Sequence, residues 1–379
     1  MKVVILGSAH PLRGGLASYN ERLAREFMRQ GHSVQIYTFS LQYPEFLFPG
    51  KSQYSDQPAP DDLYIHVKVN SVNPLNWLKI GKEIAALNAD LLIVKFWLPF
   101  MAPCLGTIAR RVKKNGKTKV ISILDNVIPH EKRPGDMAFI RYFVNSVDGF
   151  VAMSDSVLTD LRKFDTEKPA VYSPHPLFDN FGEGITKPEA YEKLGLELST
   201  EYMLFFGFIR DYKGLDLLLE AMADERVRAL NVKLLVAGEF YTDAKPYWDQ
   251  ITRLGIADKL ILKTDFIPDN EVRNYFCAAD LVVQPYKHAT QSGVTQICYH
   301  FDRPMLVTNV GGLPEMVPDG KVGYVVEPEP KSIADAIVDF YANHRELRFR
   351  DNIRLEKKKY AWSNMLAKIA EVTALIPAN

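Results

Sequence analysis

Short apolar runs alternate with longer stretches of helical periodicity along nearly the whole chain. Residues 2–6 form a continuous apolar run of strand length, and residues 15–30 follow with Leu16, Tyr19, Leu23 and Phe27 on one face. Gly31 ends this predicted helix, and a second apolar run covers residues 34–39. The pattern predicts a strand–helix–strand unit, from which parallel sheets covered by helices are built.

The same alternation continues to residue 172 and resumes after a polar stretch. Further strands are predicted at 91–94, 119–124, 150–153 and 170–172, and later at 203–206, 232–237, 260–262, 281–284, 305–307 and 323–326. Residues 177–200 are polar and contain glycines, as a linker does. We therefore predict two doubly wound α/β domains, residues 1–175 and 176–359. The apolar stripe of a last helix at 360–376 indicates that it packs against a domain.

Residues 40–75 show no clear period and contain several aromatic residues, among them Tyr43, Phe46, Phe48 and Tyr54. A long irregular loop in a compact domain is often a binding loop or a lid. The rings can stack on a sugar, a lipid or a partner, or they can fix the loop to its domain. We favour the second interpretation, which needs no ligand.

Composition excludes several classes of protein. The chain has 379 residues, with 46 Lys plus Arg against 46 Asp plus Glu, so no bulk field favours nucleic acid. Cys104, Cys277 and Cys298 form no paired motif, which predicts buried thiols in a reducing, cytoplasmic setting. The first apolar run is too short for a signal peptide, and Lys95 and two prolines interrupt the most apolar window. We expect no transmembrane segment.

A basic cluster lies at the end of a predicted helix, between residues 110 and 119. Such a cluster is typical of a solvated helix end. It can also contact anionic lipid, so peripheral membrane contact stays open.

Candidate chemistry begins with two cations after the strand at 203–206. Gly207 lets the chain turn, and Arg210 and Lys213 lie on the loop before the next helix. In a parallel α/β sheet this loop is at the carboxyl end of a strand, where such folds bind ligands. A guanidinium fork and an ammonium beside a helix start suit a phosphate or diphosphate, although a solvated turn would also explain them.

Other loops at predicted carboxyl ends repeat this logic. Ser292 and Gly293 start a helix after the strand at 281–284, and their amides suit a phosphate. Residues 308–315 repeat the strand, double-glycine and helix pattern, so the second half predicts a crevice for a nucleotide diphosphate. In the first half, Gly14 and Gly15 start a helix and offer bare amides to an anion or hydroxyl, or serve only the turn.

The segment Asp125 to Glu131 also follows a predicted strand and is more polar than a connection requires, which makes it a candidate site. A dehydrogenase is the weakest option. The first loop reads GSAHPLRGG instead of G-x-G-x-x-G, and no acid closes the second strand.

Taken in order, these segments resemble the retaining glycosyltransferases of the GT-B fold, specifically family 4. The resemblance covers nearly the whole chain and rests on PLRGGLASYNERLAREFMRQGHSV, DNVIPHE, FFGFIRDYKGLDLLLEA, LLVAGE, DFIPDNEVRNYFCAADLVVQPY, TNVGGLPEMV and the last helix.

The resemblance implies two Rossmann-like domains facing each other across a cleft, an acceptor-binding one first and a nucleotide-sugar-binding one second, with the last helix returning to the first. It implies that Arg210 and Lys213 bind the donor diphosphate and that Gln296 binds the ribose. The remaining donor-binding positions are implied to be Gly14, Gly15, His288, Gln291, Ser292, Gly293 and Val294, with Phe266 and Ile267 near the base.

Two positions depart from the family pattern. Asp125 stands where the family usually has a histidine that touches the donor sugar, and His288 and Gln296 stand where it usually has two glutamates. A glutamine still accepts a hydrogen bond from a ribose hydroxyl, without the strength that a charge gives. Asp125 is then the one carboxylate expected to face the sugar, with Asn126 and His130 positioning the sugar or acceptor.

The expected reaction is transfer of a sugar from a UDP or GDP sugar to a hydroxyl of a glycan, lipid or small molecule, with retained anomeric configuration. No cofactor or metal is expected, since no Asp-x-Asp signature is present. Two alternatives stay open: a sugar-nucleotide 2-epimerase, which needs no acceptor, and a non-catalytic sugar-nucleotide-binding protein.

Overall fold

The structure, a computed structural model, describes residues 1–44, 52–55, 57–129, 133–289 and 292–377. The chain divides into two compact units. Unit 1 comprises Met1–Pro176 and Ala361–Asn379, and unit 2 comprises Leu177–Tyr360. Each unit is a parallel sheet with helices.

Unit 1 has a seven-stranded sheet. Its strands are β1 (Lys2–Leu6), β2 (Ser33–Leu41), β3 (Ile65–Asn70), β4 (Leu91–Phe96), β5 (Lys119–Leu124), β6 (Gly149–Ala152) and β7 (Ala170–Tyr172). Its helices are α1 (Gly15–Arg29), α2 (Pro74–Ala86), α3 (Ala102–Lys113), α4 (Asp136–Val144), α5 (Asp155–Arg162) and, from the end of the chain, α15 (Trp362–Leu375).

Unit 2 has a six-stranded sheet. Its strands are β8 (Glu201–Phe206), β9 (Val232–Ala237), β10 (Leu260–Lys263), β11 (Leu281–Gln284), β12 (Met305–Thr308) and β13 (Gly323–Val326). Its helices are α6 (Lys187–Leu194), α7 (Leu215–Met222), α8 (Glu225–Arg228), α9 (Lys245–Leu254), α10 (Asp269–Ala278), α11 (Gly293–His300), α12 (Leu313–Met316), α13 (Pro330–Ala342) and α14 (Glu346–Glu356).

The strand order confirms the predicted doubly wound architecture. Unit 1 runs β3-β2-β1-β4-β5-β6-β7 and unit 2 runs β10-β9-β8-β11-β12-β13, and every pairing is parallel. The order reverses between β1 and β4 in unit 1 and between β8 and β11 in unit 2. Because crossovers are right-handed, the helices on the two sides of this reversal cover opposite faces of the sheet. A crevice opens at the carboxyl ends of the strands at such a switch point.

The central strands are apolar because both of their faces are covered. All residues of β4 and β11 are buried, including the apolar β4 side chains Leu92 and Val94, which join the core made with α2, α3 and α4. Cys104, Cys277 and Cys298 are buried and free, as predicted.

The prediction of an irregular segment over residues 40–75 is wrong in its second half. The structure places β3 there and starts α2 at Pro74, capped by the Asn73 side chain. β3 is an edge strand, so Val69 is fully buried while Val67 is 42% exposed. A half-solvated strand carries polar residues at positions where a central strand would be apolar, which weakens its pattern.

The aromatic residues of that segment fall partly outside the described residues, as Phe46 and Phe48 do. The Tyr43 hydroxyl accepts a hydrogen bond from Trp97 Nε1 at 2.6 Å, and its ring stacks on Phe100. Tyr43 thus fixes this part of the chain to unit 1, as we expected.

Several lysines of the basic cluster between residues 110 and 119 form ion pairs or hydrogen bonds within unit 1. Lys113 pairs with Asp148, and Lys117 pairs with Asp90 at 3.0 Å. Lys119 Nζ donates hydrogen bonds to two carbonyls at the end of α15, each at 2.9 Å. These contacts favour a structural role for the cluster. Within the described ranges, no helix has both the length and the apolar character needed to cross a bilayer.

Candidate active site

Two loops meet at the switch point of unit 2, one after β8 and one after β11. Lys287 N donates a hydrogen bond to Tyr212 O at 2.7 Å, which joins them. Gly214 has φ +69°, and a Cβ there would lie 1.9 Å from Pro285 O. Only glycine fits a left-handed turn at this distance, so the approach of the loops depends on it.

Lys213 lies inside this junction. Its side chain is 9% exposed, and Nζ lies 5.6 Å from the centre of the Tyr286 ring. Nζ is also close to Gly207, where a Cβ would lie 2.9 Å from it, so the glycine makes room for the ammonium. No carboxylate or carbonyl of the described residues accepts a hydrogen bond from Nζ. Burial, together with the nearby Arg210, lowers the pKa of Lys213 to about 8.

Arg210 is held by aromatic rings. Its guanidinium lies 5.0 Å from the centre of the Tyr241 ring, which stacks on Phe208 at 4.2 Å. In the described part of the chain, no acid forms an ion pair with Arg210 or Lys213. Two cations that lack counter-ions at a switch point favour an anionic ligand.

The start of α11 adjoins the two cations. Ser292 Oγ shares a hydrogen bond of 3.2 Å with the Tyr286 hydroxyl, and no side chain caps the helix. Val294 Cγ2 lies 3.9 Å from the position of a Gly207 Cβ. Gly293 also has a packing role, because a Cβ there would lie 2.7 Å from the Phe178 ring. The structure thus brings Arg210, Lys213 and the first turn of α11 to one place.

Two buried side-chain amides nearby have atoms with no hydrogen-bond partner among the described residues. Gln296 is 0% exposed, and neither of its amide atoms has a hydrogen bond with the described residues. Thr295 Oγ1 donates to Gln284 Oε1 at 3.1 Å, which leaves Gln284 Nε2 without an acceptor there. A buried amide without partners is costly, so these groups indicate a ligand or water beside the site.

The other predicted donor-binding positions of unit 2 are more scattered. His288 is exposed on the loop after β11, and Gln291 lies outside the described residues. Phe266 is 37% exposed, and Ile267 follows it on the loop after β10. β10 is an edge strand two positions from β8, so this pair is further from the switch point than the cations.

In unit 1, Gly14 and Gly15 are exposed at the start of α1, which has no side-chain cap. No atom of the described residues would lie within 4 Å of a Cβ on Gly14. These two amide positions are therefore open, as an approaching ligand requires.

Asp125 is also near a switch point, and its neighbour is a buried lysine. Lys95 Nζ lies 2.8 Å from Asp125 Oδ1 and 3.4 Å from the centre of the Tyr19 ring. Burial raises the pKa of Asp125 against the opposing effect of Lys95, and burial lowers the pKa of Lys95. His175 packs edge-on to Tyr19, and burial followed by the charge of Lys95 lowers its pKa to about 3.

Next to this pair, Asn126 has a buried Oδ1 with no partner in the described part of the chain. His130, predicted to position the sugar or acceptor, lies outside the described residues.

Sequence reasoning missed Lys95, Tyr241 and Gln284. Lys95 had a usable signal, since a lysine inside a continuous apolar strand is almost never fully buried without a partner. Tyr241 and Gln284 had no such signal, because their roles depend on neighbours from other loops.

Two cavities of about 180 and 190 Å³ lie elsewhere in unit 2 and share Glu201. Glu201 begins β8, so both cavities are at the amino ends of the strands, opposite the two cations. The predicted site is a surface junction of loops and is separate from these cavities.

Comparison with known proteins gives two family matches. Residues 13–175 match the model described as Glycosyltransferase Family 4, and residues 200–343 match Glycosyl transferases group 1. The chain is 31% identical to the D-inositol 3-phosphate glycosyltransferase of Streptomyces scabiei, over 95% of this chain and 86% of the relative. It is 28% identical to D-inositol 3-phosphate glycosyltransferase 2 of Catenulispora acidiphila, over 95% of this chain and 89% of the relative.

Solved structures share the fold at lower identity. Sucrose-phosphate synthase from Thermosynechococcus elongatus matches with a TM-score of 0.75 and 14% identity, over 99% of this chain and 98% of that one. The Anabaena protein HepE, solved in complex with UDP and glucose, matches with a TM-score of 0.73 and 14% identity, over 99% of both chains.

Proposed function

Because the chain belongs to glycosyltransferase family 4 and is an enzyme of hexosyltransferase type, we propose that it moves a sugar from a nucleotide-diphosphate sugar to an acceptor hydroxyl with retained anomeric configuration. Unit 2 binds the donor and unit 1 binds the acceptor. The observation that carries this proposal is the junction of Arg210, Lys213 and the first turn of α11 at the unit 2 switch point.

The difficult step is departure of the diphosphate while the sugar becomes cation-like. Arg210 and Lys213 supply positive charge where negative charge accumulates on the leaving phosphate, and the amides of Ser292, Gly293 and Val294 supply donors. Such groups act as an oxyanion hole does, and they need no reorganisation because rings and packing already hold both cations. The leaving phosphate then takes the proton of the acceptor hydroxyl.

The unpaired amide of Gln296 binds the ribose. Its Oε1 accepts a hydrogen bond from a ribose hydroxyl and its Nε2 donates one, so a ligand would satisfy both buried atoms. We assign His288 and Gln291 to donor binding, and Phe266 with Ile267 to binding of the base.

In unit 1, we assign the amides of Gly14 and Gly15 to donor binding, and Asp125 with Asn126 to binding of substrate hydroxyls. His130 is assigned with them to positioning. The pair with Lys95 makes Asp125 a weak nucleophile, because an ammonium at 2.8 Å withdraws charge from the carboxylate. We therefore assign Asp125 to orientation of the sugar instead of covalent catalysis.

The test follows transfer by proton NMR. UDP-glucose is the first donor to try, because HepE was solved with UDP and glucose, and GDP sugars follow. D-inositol 3-phosphate is the first acceptor, after the names of the relatives, followed by sugars and lipid-linked glycans. The proposal predicts a product whose anomeric coupling matches that of the donor. Inverted product, or epimerised sugar nucleotide formed without acceptor, would contradict it.

A further inference from the structure

A cluster in unit 1 has more hydrogen-bonding capacity than the described residues use. Four side-chain atoms with almost no exposure lack a hydrogen bond to any described residue: Tyr19 Oη, Asn20 Oδ1, Asp125 Oδ2 and Asn126 Oδ1. Three of these atoms are acceptors only. Buried acceptors are nearly always paired, so this set indicates donors beyond the described residues, as a bound ligand would supply.

The four atoms belong to one location, beside the β1–β4 switch point. Gly7, just after β1, allows close packing, because a Cβ there would lie 2.5 Å from Asn20 Nδ2 and 3.2 Å from Lys95 Cβ. Lys95 in turn contacts Tyr19 and Asp125, and Asn126 follows Asp125 in the chain. A hydroxyl-bearing ligand suits the cluster, since its O–H groups are donors that carry no charge.

Lys95 decides which oxygen of Asp125 is available. Its ammonium takes Oδ1 at 2.8 Å, and the Tyr19 ring and Met153 Sδ (3.7 Å from Nζ) cover two other directions. Oδ2 is left without a partner in the described part of the chain. Burial raises the pKa of Asp125 and the ammonium opposes this effect, so Lys95 favours the charged form of the carboxylate, in which Oδ2 is a strong acceptor.

The rings around Lys95 restrict its movement. Tyr19 packs against Trp362 of α15, with ring centres 5.1 Å apart, and meets His175 edge-on at 5.2 Å. The Arg22 guanidinium lies over the Trp362 ring, 5.1 Å from its centre. A series of contacts therefore runs from the last helix through Tyr19 to Lys95 and Asp125.

From this geometry we propose that Lys95 is a positioning residue, which orients the Asp125 carboxylate so that Oδ2 accepts a hydrogen bond from a substrate hydroxyl. The inference rests on the proposed glycosyl transfer. It assigns Lys95 and Asp125 as one functional pair, in which the lysine acts through the acid and does not contact the substrate. The hydroxyl belongs either to the donor sugar or to the acceptor.

The test compares Lys95→Met, Asp125→Asn and the double variant in the full-length protein. Asp125→Asn leaves the buried Lys95 ammonium without its partner, and Lys95→Met leaves a carboxylate that is 19% exposed without its partner, so each should lower Tm by roughly 10 °C. The double variant removes both charges together and should recover to within about 3 °C of the wild type. Its turnover should stay lower by on the order of 30-fold, because the hydroxyl has lost a charged acceptor.

Recovery of turnover together with Tm in the double variant would overturn the inference, since the pair would then be structural only. Failure of the double variant to regain Tm would also overturn it, because the two charges would not be coupled. Hydrolysis of the nucleotide sugar without acceptor identifies the hydroxyl. It falls with transfer if the hydroxyl is on the donor, and it is retained if the hydroxyl is on the acceptor.

Lys68→Met is the matched control. Lys68 pairs with Glu83 at 2.7 Å in the same unit, but both side chains are well exposed, so its Tm and turnover should stay close to those of the wild type. A wild-type protein that neither transfers nor hydrolyses any sugar nucleotide would refute the proposed function itself. That failure appears in the wild type, whereas failure of the pair appears only in the variants.

Discussion

Lys213 is a buried lysine, and burial disfavours the charged form of its amine. Burial, followed by the charge of Arg210, lowers its pKa to about 8, and a bound diphosphate would raise the pKa again. The residue is thus suited to a ligand that brings its own negative charge. Tyr286, the ring beside it, does not titrate in the same range because burial raises its pKa.

The lowered pKa of Lys213 predicts a pH dependence. Only the protonated amine stabilises the diphosphate, so kcat/KM should be flat below pH 7 and fall about tenfold per pH unit well above pH 8. The Lys213→Arg variant should lose this fall, since a guanidinium stays charged over the whole range. A wild-type profile that is flat to pH 9.5, or an unchanged fall in the arginine variant, would contradict the role of Lys213.

Arg210→Ala tests the second cation. Removing one preorganised donor to the leaving phosphate should lower kcat on the order of 100-fold to 1,000-fold, with little change in Tm because Arg210 has no ion pair in the described residues. Lys245→Ala is the control, because Lys245 is exposed on α9 and pairs there with Asp249. Equal turnover in the two variants would remove Arg210 from the mechanism.

At the scale of secondary-structure elements, the candidate sites lie on loops that follow the carboxyl ends of strands. Apolar runs placed β1, β5, β9 and β11 well because central strands are covered on both faces. Polar residues after those runs marked Asp125 and Ser292 as candidate site residues, and both lie on loops that follow strands, β5 and β11. The edge strand β3 was missed, since its exposed positions follow no buried pattern.

Contacts between loops could not be read from the same patterns. The pairing of Lys95 with Asp125 and the stacking of Arg210 on Tyr241 join residues that are 30 or more positions apart. Neither residue type nor spacing encodes such a contact. The positions of the loops at strand ends could therefore be predicted, whereas the pairing of residues across different loops could not.

Gly207→Ala tests how the β8 loop shapes the site. Gly207 has φ +98°, and the added Cβ would lie 2.9 Å from Lys213 Nζ, so the ammonium must move. We expect kcat/KM to fall about 100-fold, as it does when a catalytic group is displaced by about 1 Å. Gly195→Ala has a similar left-handed strain at φ +67° with no atom near the new Cβ, and it should lose stability but keep activity. Equal activity in the two variants would contradict the prediction.

At the scale of the whole molecule, the end of the chain completes unit 1. α15 contacts α1 and strands β5 to β7, and Lys119 binds its last carbonyls. The apolar stripe of this helix predicted that it packs, and the family resemblance indicated on which domain. Periodicity alone shows which face is buried and does not identify the surface that buries it.

Trp362→Ala should destabilise unit 1 selectively. The ring is 3% exposed against Tyr19, so its loss should lower the free energy of unfolding by about 3–5 kcal/mol. Hydrogen exchange read by mass spectrometry should show faster exchange in unit 1 and unchanged exchange in unit 2. Leu375→Ala, on an exposed position of the same helix, should cost less than about 0.5 kcal/mol. Equal loss of protection in both units would contradict this assignment.

The central claim is that two cations and the first turn of α11 bind the diphosphate of a sugar nucleotide. Titration calorimetry with UDP and GDP on the wild type, Arg210→Ala and Lys213→Ala tests it most directly. Wild-type protein should bind one of these nucleotides, and each variant should bind it roughly 10-fold to 150-fold more weakly, the value of a charge-assisted hydrogen bond. Unchanged affinity in both variants, or no binding of either nucleotide by the wild type, would contradict the account.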